Sequence, residues 1–257
     1  MGAGRPLVAI TRPAEQAAGL AELLRARGIE PLIVPAIRRV PPASWAGLDR
    51  GLELLARGYY AGVLFTSPAA VEPFVARGRA VGVALPLVSE VLVGAVGEGT
   101  AAALRAVGLH AAVIPPEGHG EGLAAALIDR LGPRLRGMRF LQPRAAEGRT
   151  ELSRDLIAAG AGVDIVDAYR TLPASAAELA PLRDALAQHG LSAIVFASPS
   201  AVRAVHEGVG QILDLAAVSI GETTAVALQA AGYRRIHVAD TPDDAALLAA
   251  VLEAVGR

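Results

Sequence analysis

Small polar and cationic side chains collect in this chain wherever a β-like run passes into a helical pattern, and their types suit the binding of anions. One set comprises Thr11, Arg12 and Pro13, then Thr66, Ser67 and Pro68, then Gly97, Glu98, Gly99 and Thr100. A second comprises Gln142 and Arg144, then Ser198, Pro199 and Ser200, then Gly221, Glu222, Thr223 and Thr224. Each group precedes or opens an expected helix, whose first N–H groups have no intrahelical partner and so favour carboxylates or phosphates. Capping alone also selects Ser, Thr and Pro at helix starts. Convergence favours the binding reading, because in open α/β sheets ligands lie beyond the carboxyl ends of the strands. The residues by themselves lead to an interlobe cleft that prefers anions.

Other chemistries are excluded or unsupported. There is no cysteine and no lysine among the 257 residues, so thiol nucleophiles, zinc–thiolate sites, Schiff bases and the lysine of a phosphate-binding P-loop are all absent. His110, His119, His189, His206 and His237 show no pair at helical metal-ligand spacing and read as solvated surface histidines, so no metal is expected. The stretch GAVGEG at 94–99 lacks the GxGxxG spacing of a dinucleotide loop. A formal net charge of −1 leaves no electrostatic footprint for nucleic acid. No apolar run is long enough to span a membrane, and MGAGRPLVAITRP passes straight into a strand-like run without a signal core. The chain is therefore expected to be cytoplasmic, with neither nucleic acid nor membrane as partner.

The elements that must hold these residues alternate in type. Short β-branched runs near 7–11, 30–34, 61–66, 91–96, 112–114, 138–142, 163–167, 193–197, 217–220 and 235–238 alternate with Ala/Leu-rich helical patterns, which argues for parallel sheets covered by helices. The helical pattern at 14–27 stops at Gly28. The organisation is also written twice. GEGTAAALRAVG at 97–108 and GETTAVALQAAG at 221–232 agree at eight of twelve positions, 9–38 aligns without a gap to 141–170, and LFTSPAAV at 64–71 matches VFASPSAV at 195–202. Two flavodoxin-like lobes of about five strands each follow. IVPAIRRVPP at 33–42 and IVDAYRTLPA at 165–174 are extended segments ended by prolines, and they read as the antiparallel joint between lobes.

The paired TSPAAV and ASPSAV segments, IGETTAVALQAAG followed by TPDDAALLAAV, and IVDAYRT together resemble the uroporphyrinogen-III synthase family, over almost the whole chain. The resemblance implies a cofactor-free enzyme of haem and tetrapyrrole biosynthesis. Such an enzyme closes the linear tetrapyrrole hydroxymethylbilane to uroporphyrinogen III, with inversion of the terminal pyrrole ring and loss of water. It implies a first lobe from 1–36 and 173–257, an inserted lobe from 41–166, and a two-stranded ladder from 37–40 and 167–172. The polar groups named above would then hold the substrate's carboxylates from two sides, with the stronger role on the Thr223–Thr224 copy, because the other copy has Gly99 and Thr100. Tyr169 matches the family's tyrosine and would donate a proton or hydrogen bond to the leaving hydroxyl; a packing aromatic at the hinge is the other reading of the same residue. A monomer is expected, with transient contact with the preceding enzyme of the pathway. The competing reading is a two-lobed binding or sensing protein for a small anion, since hinged parallel sheets serve binding without chemistry equally well.

Overall fold

A computed structural model describes residues 5–83, 91–188 and 190–256, so His189 lies outside the described residues. Short apolar runs such as LVAI and GVLF become strands, and the intervening segments become helices because their apolar residues recur at helical spacing. The first helix buries Ala17, Leu20, Ala21 and Leu24 on one stripe, and Gly28 ends that turn at a φ of 69°.

In chain order the elements begin with β1 (Leu7–Ile10), α1 (Ala14–Ala26), β2 (Glu30–Ile33), β3 (Ile37–Val40), α2 (Ala46–Ala56), β4 (Gly62–Phe65) and α3 (Val71–Ala80). There follow β5 (Leu92–Ala95), α4 (Glu98–Ala106), α5 (Gly120–Leu131), β6 (Arg139–Ala145), α6 (Glu151–Ala158) and β7 (Gly162–Pro173). The chain ends with α7 (Ala180–Ala187), β8 (Leu191–Phe196), α8 (Pro199–Val209), β9 (Ala216–Ser219), α9 (Glu222–Ala230), β10 (Ile236–Val238) and α10 (Asp244–Ala254).

The chain divides into a discontinuous unit, Met1–Arg38 with Leu172–Arg257, and an inserted unit, Arg39–Thr171. The discontinuous unit has the strand order β10-β9-β8-β1-β2, with parallel neighbours throughout. One face of this sheet packs Val8, Ile10, Val195 and Val218 against α1 and α10; the other packs Ala9, Ile194 and Phe196 against α7, α8 and α9. The second sheet has the order β3-β7-β6-β4-β5. Its helices likewise split, with Val63, Phe65 and Leu141 facing α2, α3 and α4, and Leu64 and Phe140 facing α5 and α6.

Four of the five strands in each sheet follow the same order once the repeat is followed. β6, α6 and β7 correspond to β1, α1 and β2, while β4 corresponds to β8 and β5 to β9, so the same four-strand arrangement is built from a different starting point in the chain, with β10 added beyond β9 in one sheet and β3 beyond β7 in the other. The strand expected at 112–114 reduces to one parallel bridge between Gly94 and Val113. The strand expected to end near 167 continues to Pro173, because β3 takes up its edge. Ala174 N–H donates to Ala36 O at 2.9 Å and Arg170 Nε to Pro41 O at 3.1 Å, so the partner descends as the chain ascends. This is the antiparallel pair at the edge of an otherwise parallel sheet.

Candidate active site

In the inserted unit four of the expected residues, Thr66, Ser67, Arg144 and Tyr169, meet where β6 and β4 lie side by side and their connections leave in opposite directions, the position at which open α/β sheets take ligands. A cleft of about 290 Å³ opens there. Thr66 and Ser67 after β4, Arg144 and Ala145 at the end of β6, and Tyr169 of β7 line it, together with His119, Gly120, Glu121, Arg149 and Glu151. Ser67 is extended at φ −160° and caps the turn that follows, its Oγ accepting from Ala69 N–H at 3.1 Å. The Tyr169 hydroxyl lies 3.5 Å from that same Oγ. Its ring belongs to the apolar layer under α2 and α3 and the residue is 9% exposed, so rotation is restricted, while its hydroxyl lies beside Ser67, which also lines the cleft.

Arg144 is half-buried. Its Nη1 donates to the Arg149 carbonyl at 2.8 Å, its Nε is buried without a partner, and among the described residues no carboxylate pairs with it. Gln142, on the same face of β6, is fully buried and neither side-chain atom has a hydrogen-bond partner among the described residues. Gly97 caps α4 in extended backbone without a side-chain bond, and Thr100 is buried in its first turn. Gln142, Gly97 and Thr100 are not among the residues that line the cleft.

The remaining expected residues belong to the discontinuous unit, gathered after β1, β8 and β9. Thr11 is buried, and both its N–H and Oγ1 donate to Val195 O, at 3.1 and 2.8 Å, tying β1 to β8. Arg12, 8% exposed, donates from Nη1 to Asp244 Oδ1 at 2.8 Å. Pro13 precedes α1 and is half-buried. Ser198 caps α8 through Ala201 N–H at 3.2 Å and shares a 2.9 Å hydrogen bond with Ser200, while Pro199 opens the helix. Gly221 precedes α9, Thr223 is exposed and Thr224 buried.

His119 has a role that its local sequence does not show. It is no bystander on the surface: its Nδ1 accepts from Gly122 N–H at 3.1 Å, capping α5, and lies 3.2 Å from Glu121 Oε2. A ring nitrogen that accepts an N–H carries no proton, so the cap requires the neutral ring with its proton on Nε2. Continuing the repeat beyond 97–108 and 221–232 aligns His119 with Asp243, which caps α10 through Ala245 and Ala246 N–H at 2.9 Å each. Asp is an obvious cap and His is not, so the internal alignment is the signal that exposes it. His110 is exposed, whereas His206 and His237 are partly buried. Among the described residues no cluster of His, Asp or Glu could hold a metal.

A family model described as uroporphyrinogen-III synthase HemD matches residues 18–249. The chain belongs to the uroporphyrinogen-III synthase family. It is accordingly an enzyme of porphyrin and haem biosynthesis, a lyase-type cyclase. Among its relatives, the uroporphyrinogen-III synthase of Synechococcus elongatus is 32% identical over 85% of this chain and 84% of that protein. The enzyme of the same name from Chlorobaculum parvum is 28% identical over 96% of this chain and 98% of that protein. A crystal structure of a mutant uroporphyrinogen III synthase from Thermus thermophilus shares the fold, with a TM-score of 0.64 at 22% identity over 98% of this chain and 99% of that chain.

Proposed function

We propose that this chain closes hydroxymethylbilane to uroporphyrinogen III, inverting the terminal ring and releasing one water, and that the cleft of the inserted unit takes part in that step. The observation that carries the reading is the family match across 18–249. Cleavage of the substrate's C–O bond releases hydroxide, which needs one proton to leave as water, and leaves an electrophilic azafulvene. The substituted α-carbon of the terminal ring then bonds to that carbon, giving a spiro intermediate. Breaking the older bond at the spiro centre and reclosing through the ring's other α-carbon inverts the ring, and loss of its proton balances the one taken by the hydroxide.

The chain's task is to hold a flexible polyanion so that this attack precedes direct end-to-end closure, which makes positioning more important than acid strength. Tyr169 supplies the hydrogen bond or proton to the leaving hydroxyl, and Ser67, 3.5 Å away, orients the phenol. Arg144 supplies positive charge to the substrate's acetate and propionate groups. The reading includes action without metal or cofactor, as a cytoplasmic monomer. Because the substrate closes spontaneously to the wrong isomer, transient contact with the enzyme that makes it is part of the same reading. Incubation with freshly made hydroxymethylbilane, followed by chromatographic separation of the isomers, tests it: the type III isomer is expected, and type I alone at the spontaneous rate would refute it.

A further inference from the structure

Two arginines occupy the same place in the repeat and have different neighbours. Arg12 follows β1, and Arg144 follows the same positions of β6. The helices that approach them, α10 and α5, also correspond, with Asp243 and His119 as their caps. In the discontinuous unit the first residue of α10, Asp244, seats its carboxylate on Arg12 at 2.8 Å. Gly19 of α1 makes room for it, since a Cβ there would collide with Asp244 Oδ2. In the inserted unit Gly120 stands where Asp244 stands, and Glu151 where Gly19 stands.

Arg144 is therefore left without the carboxylate its counterpart has. Its Nη1 is held by the Arg149 carbonyl, its Nη2 makes no hydrogen bond among the described residues, and Gly120 lines the same cleft. The carboxylates of the cleft do not pair with it: among the described residues neither Glu121 nor Glu151 makes an ion pair with Arg144. A half-buried cation without a counter-ion is costly until an anion joins it.

We infer that one carboxylate of the substrate, an acetate or propionate arm, takes at Arg144 the place that Asp244 takes at Arg12, and that Arg12 is closed to substrate by its own chain. This rests on the proposed reaction and deepens it: the repeat carries two equivalent anion seats, one filled internally and one kept open by Gly120.

The internal pair also supplies the test. Gly120 is helical, and a Cβ there would meet Leu152 Cβ and N at 3.5 Å, an ordinary contact; because Glu151 stands where Gly19 makes room for Asp244, Gly120→Asp and the uncharged Gly120→Asn are each made together with Glu151→Gly. Binding of uroporphyrin III, an octacarboxylate with the product's side chains, is measured by fluorescence titration for the wild type and both variants, alongside KM for hydroxymethylbilane and thermal unfolding. Gly120→Asp is expected to bind roughly tenfold or more weakly than Gly120→Asn, the scale of one charge-assisted hydrogen bond, with no loss of thermal stability relative to Gly120→Asn. In an Arg144→Gln background the Asp/Asn difference should vanish. Equal affinity of the two Gly120 variants, or no detectable binding by the wild type, overturns the inference. The isomer made by the wild type judges the proposed reaction separately.

Discussion

Replacing Tyr169 with Phe separates the two roles open to this residue, because it removes the hydroxyl and keeps the ring. The packing consequence should be small. The ring stays in the layer formed with Leu48, Phe65, Val71 and Phe74, and the substitution removes a long hydrogen bond of 3.5 Å to Ser67. A net hydrogen bond is worth about 0.5–1.5 kcal/mol, and one of this length belongs at or below the lower end. For a unit of this size that is a shift of a few degrees or less in Tm. Truncation to Ala would confound the comparison, since removing a buried aromatic ring costs about 3–5 kcal/mol. The catalytic consequence should be larger. General acids typically contribute about 10²–10⁴-fold, and a hydroxyl that departs readily without help places Tyr169 at or below the bottom of that range. Single-turnover assays with fresh hydroxymethylbilane, read by isomer separation, should show the rate of ring closure reduced by about tenfold to a hundredfold while unfolding is nearly unchanged. Wild-type turnover in a folded Tyr169→Phe protein would leave the tyrosine as packing alone.

Two further outcomes concern stability. Asp49 accepts bonds of 2.6 Å from both Nε and Nη2 of Arg77, which hold its carboxyl below the usual 3.8, and Arg77 lies 5.2 Å over the ring of Trp45, the single tryptophan. That stabilisation is present above pH 3.8 and is lost as pH falls through the lower folded value. Asp49→Asn should therefore lower Tm modestly at pH 7, as befits a partly exposed pair, and the gap from wild type should close below pH 3.8, followed by Trp45 fluorescence; a gap independent of pH would refute the assignment. His119→Ala should cost about 0.5–2 kcal/mol through loss of the α5 cap, and His119→Ser should restore most of it in denaturant titrations. Equal stability of the Ala and Ser variants would show that the cap contributes nothing.

Local pattern makes most of the scaffold legible. LVAI, GVLF and the β8 run around AIVF are strands whose flanking turns are marked in the sequence, and α1 carries its own stop at Gly28. The extended IVDAYRTLPA segment is also readable, although its full length as β7 depends on β3 pairing with its edge. The short 112–114 run has the composition of a strand but gains one bridge, because strand formation needs a partner as well as propensity. The site is less legible for a related reason. Arg12 and Arg144 look alike in their local sequence, and what distinguishes them is a carboxylate 232 residues from Arg12 in the chain and a glycine in its equivalent position. The His119 cap is hidden because its value lies in backbone geometry at the start of α5, not in any metal-ligand spacing.

The most direct test of the proposed chemistry is the identity of the product. The purified wild-type chain, given freshly made hydroxymethylbilane in the presence of a chelator, should yield chiefly uroporphyrinogen III, faster than spontaneous closure. Type I product alone, formed at the rate seen without protein, would contradict it.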